Sequence, residues 1–154
     1  MIKATGVYRF EKFIDGKPAG VQEFHNLVTD LMFSKILRFF ARSVDTSPQD
    51  SNVLDISYFA FGTGTATPAT TDVKLATEVF RKIYTIKSVS GNSLTAVCSL
   101  GSGDANYSLT EVGIFSDGSI TPDSGYLLSR ALVTIEKNSN ITYNVYYTLT
   151  LTEA

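Results

Sequence analysis

The chain has 154 residues, 44% of them hydrophobic and only 18% charged, with a net charge of −2 at pH 7. That length suits one domain, which buries roughly 68–70% of its unfolded surface without covalent staples. The lack of any basic block argues against nucleic acid as a partner, and the single cysteine, Cys98, excludes an internal disulfide or a thiolate metal cluster.

Taken from the N-terminus, residues 4–14 and 19–28 read as two strands around Asp15-Gly16-Lys17-Pro18, where Asp-Gly suits a tight hairpin. Pro18 cannot donate to a ladder and belongs to the turn or a sheet edge. One helix is expected over about 29–42. Thr29 is placed as its N-cap, and Asp30 suits the positive end of its dipole. Met32, Ile36, Phe39 and Phe40 form its apolar stripe, with Phe33 and Leu37 beside it and Lys35 elsewhere. The stretch Leu31 to Ala41 is the most apolar in the chain. Lys35 and Arg38 interrupt it, and it falls far short of the ~20 residues that span a bilayer. The start lacks an apolar run long enough for a signal peptide, so a soluble product of a cytoplasm is expected.

Ser43 to Asn52 is polar loop chemistry around Pro48. The run 55–61 (DISYFAF) suits a central strand. Gly62 to Asp72 (GTGTATPATTD) reads as an extended surface loop, because Pro68 breaks both helix and strand. Strands are then expected at 79–89, 94–100, 108–115, 125–135 and 141–152. The last is the clearest: Ile141, Tyr143, Val145, Tyr147, Leu149 and Leu151 alternate with Thr142, Asn144, Tyr146, Thr148 and Thr150. A period of two places one set on each face of a sheet. Together these elements predict a mainly β, antiparallel β-sandwich. Residues 1–52 would supply an N-terminal hairpin and helix, and 53–154 the sandwich body, in a single domain.

Little chemistry accompanies the strands. His25 is the only histidine, without the partners that a triad or a zinc site needs. Cys98 alternates with Leu94, Ala96 and Leu100 and reads as a small buried hydrophobe. The strings Gly62-Thr63-Gly64 and Gly101-Ser102-Gly103 lack the third glycine and helix of a dinucleotide site and read as turn glycines. Asp117, Ser119 and Asp123 share one loop, and Asp104 and Asn106 another, without the spacing of a calcium site. Glu111 is grouped with Leu109, Gly113 and Phe115 on one face, as a structural carboxylate pairing with Arg81 or Arg130. A sugar-hydrolysing pair would need a second acid. No catalytic, cofactor or metal residue is assigned.

In order, the strings ISYFAFGTGTATPATTDVKLATE (56–78), FRKI (80–83), SVSGNSLTAV (88–97), TEVGIF (110–115), LLSRAL (127–132) and ITYNVYYTLTL (141–151) resemble a family of small virion proteins of tailed bacteriophages. Members of that family are described as tail, baseplate or tail-fibre-associated components. The resemblance covers about 53–152 and implies a non-enzymatic virion part present in several copies, made in the host bacterial cytoplasm. Its partners would be other virion proteins and copies of itself, without nucleic acid or membrane insertion. Gly62, Thr63, Gly64, Thr65, Pro68 and Asp72 of the loop, Phe33 and Phe40 of the helix, and Tyr146 are the candidate assembly contacts. Two other readings stand beside this one: a capsid decoration protein, and a carbohydrate-binding module whose partner is a host-surface glycan.

Overall fold

The computed structural model describes residues 1–41 and 55–153, with side chains from 38 to 41 outside that description. The expected polar loop from Ser43 to Asn52 and the Phe39 and Phe40 side chains therefore lie outside the described residues. The chain folds as a β-sandwich of two five-stranded antiparallel sheets with one short helix. In chain order the elements are β1 (Ile2–Ile14), β2 (Lys17–His25), β3 (Leu27–Val28), α1 (Asp30–Ala41), β4 (Ile56–Gly62), β5 (Glu78–Ile83), β6 (Ile86–Ser90), β7 (Ser93–Leu100), β8 (Ser108–Ser116), β9 (Tyr126–Glu136) and β10 (Ile141–Glu153). Sheet A has the order β2-β1-β10-β7-β6, and sheet B the order β3-β9-β8-β4-β5. The N-terminal hairpin is thus built into the sandwich, with β1 between β2 and β10.

The hairpin turn is the one that Asp-Gly dictates: Asp15 and Gly16 both adopt positive φ, 49° and 72°, as a two-residue turn matched to strand twist requires. Pro18 sits on β2, an edge strand. Along β10 the alternation holds as far as Leu149, and Leu151, expected on the same face, is exposed. Ile141, Tyr143, Val145, Tyr147 and Leu149 are buried, and the threonines, Asn144 and Tyr146 between them are half-buried on the outer face. These side chains and Tyr8 and Phe10 of β1 face Phe59, Phe61, Val112, Ile114, Ala131 and Val133 of sheet B. Phe10 meets Tyr143 and Phe61 edge-on, with ring centroids 6.0 and 6.4 Å apart, the geometry that aromatic quadrupoles favour. The buried Tyr8 hydroxyl finds Ser129 Oγ at 2.6 Å.

Two expected strands are each divided between the sheets. Residues 19–28 pair in sheet A up to His25 and in sheet B from Leu27, where Leu27 stands opposite Arg130. Residues 79–89 make the same crossing: Tyr84 N–H donates to Ser57 in sheet B and the next residue, Thr85, to Val97 in sheet A. Alternation persists across a crossing, so periodicity does not reveal it.

Helix α1 begins at Asp30, as expected. The Thr29 hydroxyl donates to the carbonyls of Leu127 (2.6 Å) and Leu128 (3.2 Å), tying the helix start to β9. Met32 is buried, while Phe33 and Leu37 are exposed. Lys35, placed off the apolar stripe by sequence, is buried: its ammonium lies 3.6 Å from the Tyr126 ring centre and 3.1 Å from Asp117 Oδ2. Its four-carbon stem packs like a hydrophobe and its charge reaches a carboxylate.

Candidate functional site

The outer face of sheet B is covered by irregular chain, and two arginines organise the cover. A small apolar cluster forms first, from Ala60, Phe115 and Leu127 of the strands and Leu75 of the β4–β5 connection. Beside it lie Glu111 of β8 and Arg130 of β9, both buried. An irregularity in the β8–β9 register between Leu109 and Glu111 sends Leu109 into the core between the sheets. Glu111 therefore shares the outer face with Gly113 and Phe115 and not, as alternation suggested, with Leu109.

Burying an ion of this size costs several kcal/mol unless its lone pairs and protons are matched. Here they are. Glu111 Oε1 accepts the Gly64 N–H (3.1 Å) and the Thr77 N–H (2.7 Å). Oε2 accepts the Ala76 N–H (3.0 Å) and both Nε and Nη2 of Arg130 (3.0 and 2.8 Å). Arg130 Nη1 donates to Asp72 Oδ2 (2.8 Å) and Nη2 to the Ala66 carbonyl (2.8 Å). Thr110 Oγ1 donates to the Gly64 carbonyl (2.8 Å), and the helix start contributes Asp30 N–H to the Thr70 carbonyl (2.9 Å). The connection from 63 to 77 is an ordered layer gripped at residues 64, 66, 70, 72, 76 and 77.

A second pair holds the neighbouring loop, residues 117–125. Arg81 makes a fork to Glu78, with Nε to Oε1 at 2.5 Å and Nη2 to Oε2 at 2.8 Å. Its Nη1 donates to the carbonyls of Ser119 and Ser124 at 3.0 and 2.9 Å. The guanidinium lies 4.7 Å from the Phe115 ring centre, a distance at which the ring face attracts the cation. Asp123 donates its N–H to Glu78 Oε2 (3.0 Å) and pairs with Lys74 at 3.3 Å, joining the two loops at the surface.

The predicted contact residues divide accordingly. Thr63 and Thr65 are exposed, and Pro68 is half-buried. Gly62, Gly64 and Asp72 turn inward. Gly62 and Gly64 are close-approach glycines and not turn glycines: a Cβ on Gly62 would stand 2.5 Å from the Thr77 carbonyl, and one on Gly64 2.5 Å from Glu111 Oε1. Gly101 does serve a turn, its carbonyl accepting the Asp104 N–H. Phe33 stands 42% exposed on the helix. Tyr146 is half-buried on the outer face of sheet A, with the Arg9 guanidinium 5.3 Å from its ring centre. Of the two partners expected for Glu111, the fold supplies Arg130.

The other chemistry-bearing groups are engaged in the same manner. Asp117 pairs with Lys35, and Asp104 with Lys82 at 2.6 Å. Burial pushes the Cys98 thiol up to about 12, against an opposing pull from Lys82, so it is protonated and unreactive at neutral pH. Among the described residues no group of acids, histidine and cysteine is spaced to hold a metal ion, and no helix is long and apolar enough to cross a membrane. Sequence reasoning did not find Glu78 or the bridging role of Asp72. Their signal was indirect: Arg130 within LLSRAL and Glu111 within an apolar strand each require an opposite charge nearby. Comparison of the chain with protein-family models, curated proteins and solved structures finds no match.

Proposed function

We propose that this chain is a non-enzymatic structural protein of a bacteriophage virion, a tail component at the baseplate, the fibre attachment or the tip, acting through contacts with copies of itself and with other virion proteins. The observation that carries the proposal is the ordered loop layer on sheet B. Its charged side chains are spent on internal bonds, and what it offers outward is a threonine-rich surface: Thr63, Thr65, Thr67, Thr70 and Thr71, all exposed. A loop already held in one conformation binds without the entropic cost of ordering. The sequence resemblance to small phage tail proteins points the same way.

The test is a pair of exposed substitutions, Thr65→Arg and Thr67→Arg, introduced into the phage. Excising the loop is unsuitable, because Glu111 and Arg130 would lose their partners and the fold would suffer. Folding of the double variant should stay within about 0.5 kcal/mol of the parent, as for surface changes in general, while its incorporation into purified particles falls. Normal incorporation would remove the loop layer from the interface. Cross-linking in the particle then separates the tail reading from the alternatives: products with capsid protein mark a decoration role, and a chain that cross-links only to host glycan marks a recognition module.

A further inference from the structure

Where β2 leaves sheet A at Asn26, the strand that it flanked continues. β1 pairs with β2 only from Val7 onward, whereas it pairs with β10 from Ile2. Among the described residues the opposite edge of Ile2–Thr5 therefore has no paired strand, although Leu27 and Val28 of β3 pass beside it. Antiparallel ladders alternate the side to which successive residues bond. Gly6 accepts the Asn26 N–H on the β2 side, so Ala4, two residues earlier, directs its N–H and C=O to that same edge. Beside it lies a groove of about 420 Å³, running along Lys3–Gly6 and His25–Val28, with Phe33 of α1 on its border. The groove lining contains the basic Lys3 and the titratable His25 and no acid. Three acids flank it without entering the lining: Glu23 two residues before His25, where it stands opposite Arg9, Asp30 in the first helical turn, and Glu153 opposite Ile2. The Asn26 amide also lies in the lining, and its Oδ1 is buried without a hydrogen-bond partner.

We propose that this groove receives a single extended, acidic peptide segment of a partner protein, which adds to β1 along Lys3–Gly6 as the strand that β2 vacates. Main-chain bonds to Ala4 supply the affinity, as in other strand additions. Lys3 selects a carboxylate, and Phe33 covers an apolar side chain. The groove is bordered by the β2–β3 crossing on one side and by Phe33 of the helix on the other, and the open stretch of β1 is only four residues long, which suits one short strand. This names partner chemistry for the assembly role above and rests on that role only for the source of the strand.

The test uses the full chain and two blocked, fluorescein-labelled octapeptides, one alternating valine with glutamate and the other valine with lysine, followed by fluorescence polarisation at pH 8. Saturable binding of the glutamate peptide is expected, with the lysine peptide weaker by about tenfold or more, and Lys3→Glu weakening the glutamate peptide by about tenfold. Ala4→Pro removes the N–H that faces the groove and leaves the β1–β10 ladder intact, so binding is lost. In the unsubstituted chain, the amide resonances of Ala4 and Gly6 should shift on titration, and this readout stands even if the proline variant fails to fold. Equal binding of the two peptides, binding that survives Ala4→Pro in a folded variant, or no saturable binding at all would overturn the proposal. So would a peptide-free dimer that Ala4→Pro converts to monomer in sedimentation, because a second copy would then occupy the groove. Incorporation into particles is scored separately with the threonine variants, so failure of one result does not decide the other.

Discussion

Glu111 is a carboxylate with no exposed surface, facing five donors, and its neighbours have been reduced to glycine to admit it. Removing its charge leaves Arg130 buried and half-matched. Glu111→Gln should therefore destabilise the protein by about 3–5 kcal/mol, the usual cost of breaking a buried pair from one side, read from urea unfolding midpoints. Gly64→Ala should cost about 1–3 kcal/mol, because its Cβ would press on both Ala76 and Glu111 in a packed site. Gly103→Ala is the control: a Cβ there meets nothing within 4 Å, and the backbone is not left-handed. Equal effects from the two glycine changes would refute the close-approach account.

At the scale of the element, the two edges of sheet A are treated differently. β2 carries Pro18, Lys17 and an irregular register between Lys12 and Phe13, devices that discourage unwanted pairing. β6 exposes Ile86 and Val89 but places Lys87 opposite Ala96, so that its side chain turns inward. The Lys87 ammonium pairs with Asp55, donates to the Ile56 carbonyl at 3.0 Å, and lies 3.9 Å from the Tyr84 ring centre. An inward charge next to an edge is a recognised guard against strand addition. Lys87→Val should raise concentration-dependent self-association by light scattering, with little change in secondary structure by circular dichroism. The Lys87 link also closes the sandwich beside the crossing at Tyr84–Thr85, so one side chain serves both packing and protection.

For the molecule as a whole, the core determines how stability varies with pH at the alkaline end. Burial raises the Tyr147 hydroxyl to about 12, opposed by hydrogen bonds from Ser129 and Asn26, and raises Tyr8 well above its ordinary value of 10.0. Cys98 rises from 9.0 to about 12 for the same reason. These groups keep their protons in the fold after the unfolded chain has released them. The unfolded state then binds fewer protons, so stability is complete below about pH 9 and declines as pH rises from there towards 12. Urea midpoints at pH 8, 10 and 11 should fall in that order, and Tyr147→Phe should flatten part of the slope. A midpoint that stays level across that range would show that these groups are not the controlling ones.

What the amino-acid order determined by itself is the local structure. Asp15-Gly16 can make a two-residue hairpin turn because both residues tolerate positive φ, and the alternation from Ile141 to Leu149 names the buried face of β10 before any fold is known. The interior of the strands, the helix from Asp30 and the sandwich class follow from such short-range rules. Which sheet each strand joins was decided only by tertiary structure, as the divided runs 19–28 and 79–89 show. Periodicity records which side of a strand is apolar, and both sheets turn the same kind of side inward. Equally hidden was the work of Gly62, Gly64 and Asp72. Their environment is made by Glu111, Ala76 and Arg130, which lie close in space but are remote in sequence for all but Ala76, and a loop rich in threonine, glycine and proline looks the same whether it is loose or held by a buried ion pair.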